Sequence, residues 1–505
     1  MTTHGPTDIP AGFAGQHITV AGLGVSGISA ARALAGLGAH VTVVDGGDGD
    51  KQQAAGRELE EWAAAQSASG KGGGGRRAGG ITVRLGDGAT LPEGTELVVT
   101  SPGWKPDSPL FAAAAAAGVD VVGDVEIAWR LRGPDAAAWL GVTGTNGKTT
   151  TVRMLASILA AEGLHTLAVG NIGTPIIDVV LGQGKDGARP YDVLAVELSS
   201  YQLHWAPSLR AHSAAVLNIA PDHLDWHGSM AEYAADKGRI YEGNTVACVY
   251  NVADKATEDL VREADVEEGC RAIGFTLGTP GPSQLGVVEG ILVDRAFVEN
   301  RQKQAQELAE ISDIAPGSGP PAPHNIANAL AAAALARAFG VRPAAVRDGL
   351  RAFHPDAHRI QHIADIDGIT YIDDSKATNT HAAEASLAAY EHIVWIAGGL
   401  AKGATFDELV QKSAARLRGV VLIGADRALI REALARHAPD VPVVDLDRTD
   451  TGAMPEAVRE ATRLAEPGDT VLLAPACASM DMFVNYNKRG DAFADAVGEL
   501  TARDH

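Results

Sequence analysis

Cysteine is scarce in this chain: three residues in 505, Cys248, Cys270 and Cys477, with no CxxC spacing among them. That excludes a disulfide framework and a thiolate zinc site, and it fits a reducing compartment, so a cytoplasmic protein is expected. No run of 18 consecutive apolar residues occurs either, and no membrane insertion is expected. Met1 to Gln16 lacks the basic start and apolar stretch of a secretory signal. Positive charge is in deficit, with 42 Lys and Arg against 63 Asp and Glu for a net charge of -21. A surface of that sign repels a phosphate backbone and excludes nucleic acid as the main partner, though a local basic pocket can still hold a small phosphorylated ligand.

What remains is ordinary globular composition, 46% hydrophobic and 21% charged, which rules out a largely disordered or collagen-like chain. A single core stops growing near roughly 250–300 residues, so several domains are expected. Short β-branched runs alternate with Ala-rich helical stretches, the rhythm of α/β layers on parallel sheets. It recurs in three blocks, with strands such as His17 to Ala21, Val41 to Asp45, Ala138 to Val142, Val193 to Glu197, Ile369 to Ile372 and Thr470 to Ala474. The expected domains are 1-133, 134-355 and 356-505. The stretches Ser67 to Gly80 and Asp313 to Pro323 read as loops, and no function is assigned to the first.

The first chemical signal is Gly22-Leu23-Gly24-Val25-Ser26-Gly27 directly after a strand, with Asp45 ending the next one. This is the spacing of a dinucleotide fingerprint, but its physical content is a tight turn and a helix N-terminus for a diphosphate, which any nucleotide diphosphate satisfies. The second signal is Gly144-Thr145-Asn146-Gly147-Lys148-Thr149-Thr150 between a strand and a helix. Backbone amides for phosphate oxygens, an ammonium for the terminal phosphates and a hydroxyl for Mg²⁺ are what a phosphate cradle needs. The generic P-loop wants a Gly at position 142, where Val142 stands, so the loop is a tighter variant.

With these motifs and two later ones, Tyr371 to Asn379 and Leu472 to Gly490, the chain resembles the Mur ligase family of ATP-dependent amino-acid ligases of peptidoglycan precursor synthesis, in its D-glutamate-adding branch. The resemblance implies an N-terminal Rossmann-like domain for the UDP-substrate, a central ATPase-like domain and a C-terminal Rossmann-like domain for the amino acid. It implies that the γ-phosphate of ATP activates the carboxylate of UDP-N-acetylmuramoyl-L-alanine as an acyl phosphate, which D-glutamate then attacks, in a monomeric enzyme.

Residue by residue, the resemblance assigns ATP to Gly144, Thr145, Asn146, Gly147, Lys148, Thr149, Thr150, Asn325, Arg359 and Asp374. By position alone Asn325 is also a plausible N-cap. Mg²⁺, at two sites, falls to Thr149, Glu197, His223 and Lys237. Lys237 matches a lysine that becomes carbamylated; by itself a Lys on an Ala-rich helix reads as a surface charge. Lys148, His223 and Lys237 form the catalytic set. Gly22, Leu23, Gly24, Val25, Ser26, Asp45, Ser101, Pro102, Gly103 and Asn171 match the UDP-substrate site. Lys376, Thr378, Lys402, Ser479 and Tyr486 match the glutamate pocket, where a dicarboxylic acceptor needs cations and hydroxyls. One departure stands out: family members often carry Asp-Thr-Arg where this chain has Asp45-Gly46-Gly47. An NAD-dependent oxidoreductase would use the first turn but leave Lys148 idle, and a P-loop switch or motor would leave the Ser479 motif unexplained.

Overall fold

A computed structural model describes residues 11–69, 79–133, 135–182, 190–314, 321–355 and 357–502. Strands β1 (His17–Ala21), β2 (His40–Asp45), β3 (Ile81–Leu85), β4 (Leu97–Thr100) and β5 (Asp120–Gly123) form a parallel sheet in the order β3-β2-β1-β4-β5. The order reverses between β1 and β4, and loops at the carboxyl ends of such a pair open the crevice where α/β sheets take ligands. The next sheet uses β6 (Ala138–Thr143), β7 (Thr166–Gly170), β8 (Val193–Glu197), β9 (Ser213–Val216), β10 (Ala247–Asn251), β11 (Arg271–Phe275), β12 (Gln284–Val288), β13 (Ile291–Asp294) and β14 (Gln306–Glu310). Its order is β14-β13-β12-β11-β10-β9-β6-β8-β7, parallel from β7 to β12 and antiparallel beyond. The last sheet, β15 (Gln361–Ile366), β16 (Ile369–Asp373), β17 (Ile393–Gly398), β18 (Leu417–Ile423), β19 (Val443–Asp445) and β20 (Thr470–Leu473), runs β15-β16-β20-β17-β18-β19 with only β15 antiparallel. The α/β class expected from the sequence is therefore the architecture found.

The chain divides into two compact units. One holds the first two sheets; the other holds the third, from Phe353 onward, together with Ala220–Asp225 and Ile314–Asn325. Within the first unit one continuous core runs from Val20, Leu34 and Val99 to Trp139, Val196 and Ile240. Within the second, the period-two alternation of strands splits the core into two faces: Trp395 and Ala397 of β17 point to one, Val394 and Ile396 to the other.

Two sequence expectations need correction, and one hairpin was not read. The helix Pro323–Ala338 begins two residues before Asn325, because Pro presets φ and lacks only an N–H that a first turn cannot use; Asn325 is not its N-cap. Ser67 to Ser69 are not loop but the end of the helix Asp50–Ser69, and the N–H of Gly79 already bonds Ala35 O at 2.8 Å. Only residues 70–78 of that stretch lie outside the described residues. The β12–β13 hairpin went unread because its turn is Glu289-Gly290, both at positive φ, where Asn-Gly or Asp-Gly is the usual signal.

The helix Pro343–Ala352 crosses the helix Lys148–Ala161 backbone to backbone at Gly349: Ser157 Oγ donates to Gly349 O at 2.7 Å, and a Cβ at 349 would lie 2.6 Å from Ile158 N. Gly349→Ala is expected to cost about 1–3 kcal/mol by overpacking, read as a lowered urea midpoint. A midpoint equal to the parent's would show that this contact does not set the helix crossing.

Candidate active site

The loop after β6 is shaped by two glycines. Gly144 sits at φ 147, and a Cβ there would come 3.0 Å from Leu217 Cβ; Gly147 sits at φ 85 and a Cβ would strike Asn328 Oδ1. Gly147 is also the N-cap of Lys148–Ala161 and brings no side chain to its amides, leaving a helix N-terminus suited to an anion. Asn218 clamps the loop from the side: its backbone O accepts from Thr145 N at 3.0 Å, its Oδ1 from Asn146 N at 2.8 Å, and its Nδ2 donates to Asn146 O at 3.1 Å.

Two lysines converge on one carbonyl. Lys148 Nζ donates to Gly144 O and Thr145 O, each at 2.9 Å, and Lys237 Nζ donates to the same Gly144 O at 3.0 Å. Lys237 is only 2% exposed, so its reading as a surface charge is corrected. It lies in the last turn of the helix Met230–Gly238, which Ser229 caps, and its Nζ sits 4.7 Å from the Tyr233 ring centre. Tyr233 OH in turn bonds Thr145 Oγ1 at 2.9 Å. Helix and loop are thus locked by Tyr233, a residue the sequence reading passed over.

Glu197 ends β8, where its Oε1 accepts from Asn171 Nδ2 at 3.0 Å while its Oε2 is buried with no hydrogen-bond partner among the described residues. Asn171, expected in the UDP-substrate site, is therefore first of all the partner of Glu197. Thr149 and Thr150 are buried at the head of the neighbouring helix. Among the described residues no group of three or more His, Cys, Asp or Glu is arranged to hold a metal ion. A divalent ion here would rest on Glu197 Oε2, hydroxyl and phosphate oxygens, and water. Those hard ligands suit Mg²⁺, which takes one or two carboxylates and keeps its waters. His223 belongs to the other compact unit; at φ 53 its N–H turns back to its neighbour Asp222 at 3.0 Å.

Next to Lys237 lies a polar network that no motif announced. Asp236 accepts from Nδ1 of both His204 and His227 at 2.9 Å and pairs with Arg239 Nε at 3.1 Å, and His227 Nε2 meets Ser200 Oγ at 2.9 Å. Burial alone would raise the Asp236 carboxyl, but the His204 and His227 hydrogen bonds and Arg239 bring it down to about 2. The available signal was the cluster of polar residues around Trp226, too scattered in sequence to read.

In the first sheet, Gly22 to Ser26, Asp45 and Ser101 to Gly103 all follow the carboxyl ends of β1, β2 and β4. Asp45 spends both oxygens on the backbone, taking Leu23 N at 2.8 Å and Gly47 N at 2.9 Å. Ser101 Oγ is buried beside the turn with no hydrogen-bond partner among the described residues, and a Cβ on Gly22 would lie 2.8 Å from it. Asp124, packed against Ser26, is raised above the usual carboxylate range by burial.

In the second unit the expected glutamate residues gather at the carboxyl ends of β16, β17 and β20. Lys376 Nζ lies 4.0 Å from the Tyr486 ring centre, and an isolated bridge pairs Leu400 with Ala478, bringing the loop of Lys402 beside that of Ser479. Arg489, missed by the sequence reading, ties these loops together from within: it is 1% exposed and donates to Ser375 O at 2.8 Å, Ser375 Oγ at 3.0 Å and Cys477 O at 3.1 Å. Ser375 Oγ then donates to Tyr486 O at 2.8 Å. Asp374 bonds Ser386 Oγ, and burial pushes its carboxyl up to about 6 against the pull of Ser386 and Arg359. Arg359 stands between His358 and Ile360, both at positive φ, and His358 is raised by its 2.7 Å bond to Asp373.

Open parallel sheets with a strand, a glycine turn, a lysine and a helix N-terminus define an α/β protein suited to a nucleotide phosphate. Residues 142–336 match the Mur ligase middle domain, and residues 358–477 match the Mur ligase, glutamate ligase domain. The chain is 78% identical to the UDP-N-acetylmuramoylalanine--D-glutamate ligase of Streptomyces avermitilis, over 97% of this chain and 99% of that protein. It is 75% identical to the protein of the same name from Streptomyces coelicolor, over 98% and 100%. The fold also resembles that of the MurF ligase from Thermotoga maritima in complex with ADP, with a TM-score of 0.54 at 14% identity over 91% of this chain and 95% of that one. This chain belongs to the Mur ligase family, in the branch of the UDP-N-acetylmuramoylalanine--D-glutamate ligases.

The Asp236 network has a pH signature. Its folded value of about 2 lies below the ordinary 3.8, so the stability it contributes, about 2 kcal/mol, is present above pH about 4 and is lost as pH falls toward 2. Asp236→Asn is expected to be less stable than the parent at neutral pH, with the gap narrowing between pH 5 and pH 3 in denaturant titrations. A gap that stays constant over that range would contradict the assignment.

Proposed function

We propose that this chain joins D-glutamate to the carboxylate of UDP-N-acetylmuramoyl-L-alanine with ATP as the energy source, in cytoplasmic peptidoglycan precursor synthesis, acting as a monomer. The observation that carries the reading is the meeting of Lys148 and Lys237 on Gly144 O at the head of a helix. Three domains share the work in this reading: 1-133 holds the UDP moiety, 134-355 the ATP and 356-505 the amino acid. No helix among the described residues is long and apolar enough to cross a membrane, as such a role requires.

ATP, when bound, supplies the phosphoryl group that turns the substrate carboxylate into an acyl phosphate. Lys148 and the amides of the Gly144 to Gly147 turn hold the charge of the group in transfer, the main way proteins accelerate such reactions. The resemblance also assigns ATP to Asn325, Arg359 and Asp374. Thr149, Glu197 and His223 would hold Mg²⁺, whose role is to offset phosphate charge. Lys237 joins them as a carbamate: repulsion from Lys148 disfavours a second ammonium beside Gly144, a carbamate removes it, and its remaining N–H still donates to Gly144 O. Lys376, Thr378, Lys402, Ser479 and Tyr486 receive the two carboxylates of glutamate.

Two measurements test this. With UDP-N-acetylmuramoyl-L-alanine present, ADP release should be stimulated by D-Glu far more than by L-Ala, which lacks the side-chain carboxylate and leaves buried donors unpaired at about 1–3 kcal/mol each. The preference for D-Glu over L-Glu and D-Asp rests on the resemblance of Asp374 to Asn379 and Pro475 to Gly490 to the D-glutamate branch. Preference for L-Glu would overturn the handedness, and stimulation by none would overturn the ligase reading. Lys237→Ala should be nearly inactive and partly restored by added formate or acetate. A Lys237→Arg enzyme with near-parental turnover would instead make the group a simple cation.

A further inference from the structure

After Asp45, which ends β2, the chain has Gly46 and Gly47, with neither hydroxyl nor guanidinium there, and an indole reaches the same strand ends. Trp104, in the loop after β4, has its Nε1 beside the turn after β1 and its Cη2 beside the loop after β3. A Cβ on Gly22 would lie 3.0 Å from the first atom, and one on Gly88 3.4 Å from the second and 3.2 Å from Gly46 Cα. Glycines at 22 and 88 thus leave room for one ring to span the loops that follow β1, β3 and β4. Gly46, after β2, lies against Gly88.

The ring is held in place. Phe111 packs behind it with centroids 5.7 Å apart and a 38° tilt, and Trp205 stands edge-on to Phe111 at 5.3 Å. Its backbone is fixed by Trp104 N to Ser101 O at 3.3 Å and by Trp226 Nε1, which donates to Trp104 O at 3.1 Å. Part of the residue stays accessible. Around it, Asp45 joins the turn after β1 to the loop after β2 through Leu23 N and Gly47 N, so the loops bordering the indole are tied to each other.

We propose that Trp104 is the stacking face for the uracil of the UDP substrate, supplying by ring contact affinity that Gly46 and Gly47, which have no side chains, cannot supply. This deepens the reading of 1-133 as the UDP-binding domain and rests on it. Stacking on an aromatic side chain is sequence-tolerant because every base has a π-face, so the indole gives affinity, and base identity is left to the backbone around Asp45. The diphosphate, at the Gly22 to Ser26 turn, should not feel the ring's chemistry.

The test uses the full chain in calorimetric titrations with UDP and, separately, inorganic pyrophosphate. Trp104→Leu should weaken UDP by about tenfold or more while pyrophosphate stays within about twofold, and Trp104→Phe should keep UDP within about threefold. A fluorescence readout covers the case in which Trp104→Leu misfolds: of the seven tryptophans, Trp104 is the one expected to report UDP, so the emission change on UDP addition should vanish in Trp104→Phe although UDP still binds. Equal weakening of UDP and pyrophosphate, parental UDP affinity in Trp104→Leu, or an undiminished emission change in Trp104→Phe would each overturn the stacking role while leaving the ligase reading intact. A parent protein that binds pyrophosphate but not UDP would overturn the UDP-domain reading itself.

Discussion

The carbonyl of Gly144 accepts from two lysines, one at the start of a helix and one at the end of another, and the rest of the site follows from that constraint. For Lys148 to fold back on its own loop, Gly144 and Gly147 must take positive φ, with Leu217 and Asn328 filling the space a side chain would need. For Lys237 to reach the same oxygen, the helix Met230–Gly238 must end buried beneath the loop, which the Tyr233–Thr145 bond and the Asp236–His227–Ser200 network secure. The Lys148 ammonium and the helix N-terminus behind it favour an anionic ligand, and the crowding of a second amine beside it is what favours conversion of Lys237 to a carbamate.

The second unit solves a related problem with one guanidinium. The donors of Arg489 go to Ser375 and Cys477, so it acts as a strut between the loops after β16 and β20. Burial lowers it to about 10, still leaving it charged at neutral pH. Lys376, Ser479 and Tyr486 sit within a few residues of that strut, which explains how side chains about a hundred positions apart in sequence share one end of a sheet.

Much of this was legible in the sequence where the signal is local. Strands such as His17–Ala21 and Val193–Glu197 are short, β-branched and buried on both faces, and they were read with the bounds they have. The two glycine turns were legible because a left-handed backbone at a strand end needs glycine. What stayed hidden depends on distant packing. Lys237 reads as a surface charge until Gly144 is placed over it, Asn171 shows no link to Glu197 until β7 and β8 pair, and Arg489 is an unremarkable helix residue until Ser375 and Cys477 surround it. The family resemblance reached Lys237 and Asn171, but the Tyr233 and Asp236 contacts came from the structure alone.

The central claim is that the Lys148–Lys237 site serves activation of a carboxylate rather than simple nucleotide hydrolysis. It is tested most directly with UDP-N-acetylmuramoyl-L-alanine labelled with ¹⁸O at both oxygens of the alanyl carboxylate, followed by mass analysis of the phosphate released during turnover with D-glutamate. Passage through an acyl phosphate transfers one carboxylate oxygen to phosphate, so each phosphate formed should contain a single ¹⁸O. Unlabelled phosphate accompanying ADP would mean that water, and not the carboxylate, received the phosphoryl group, and would contradict the account.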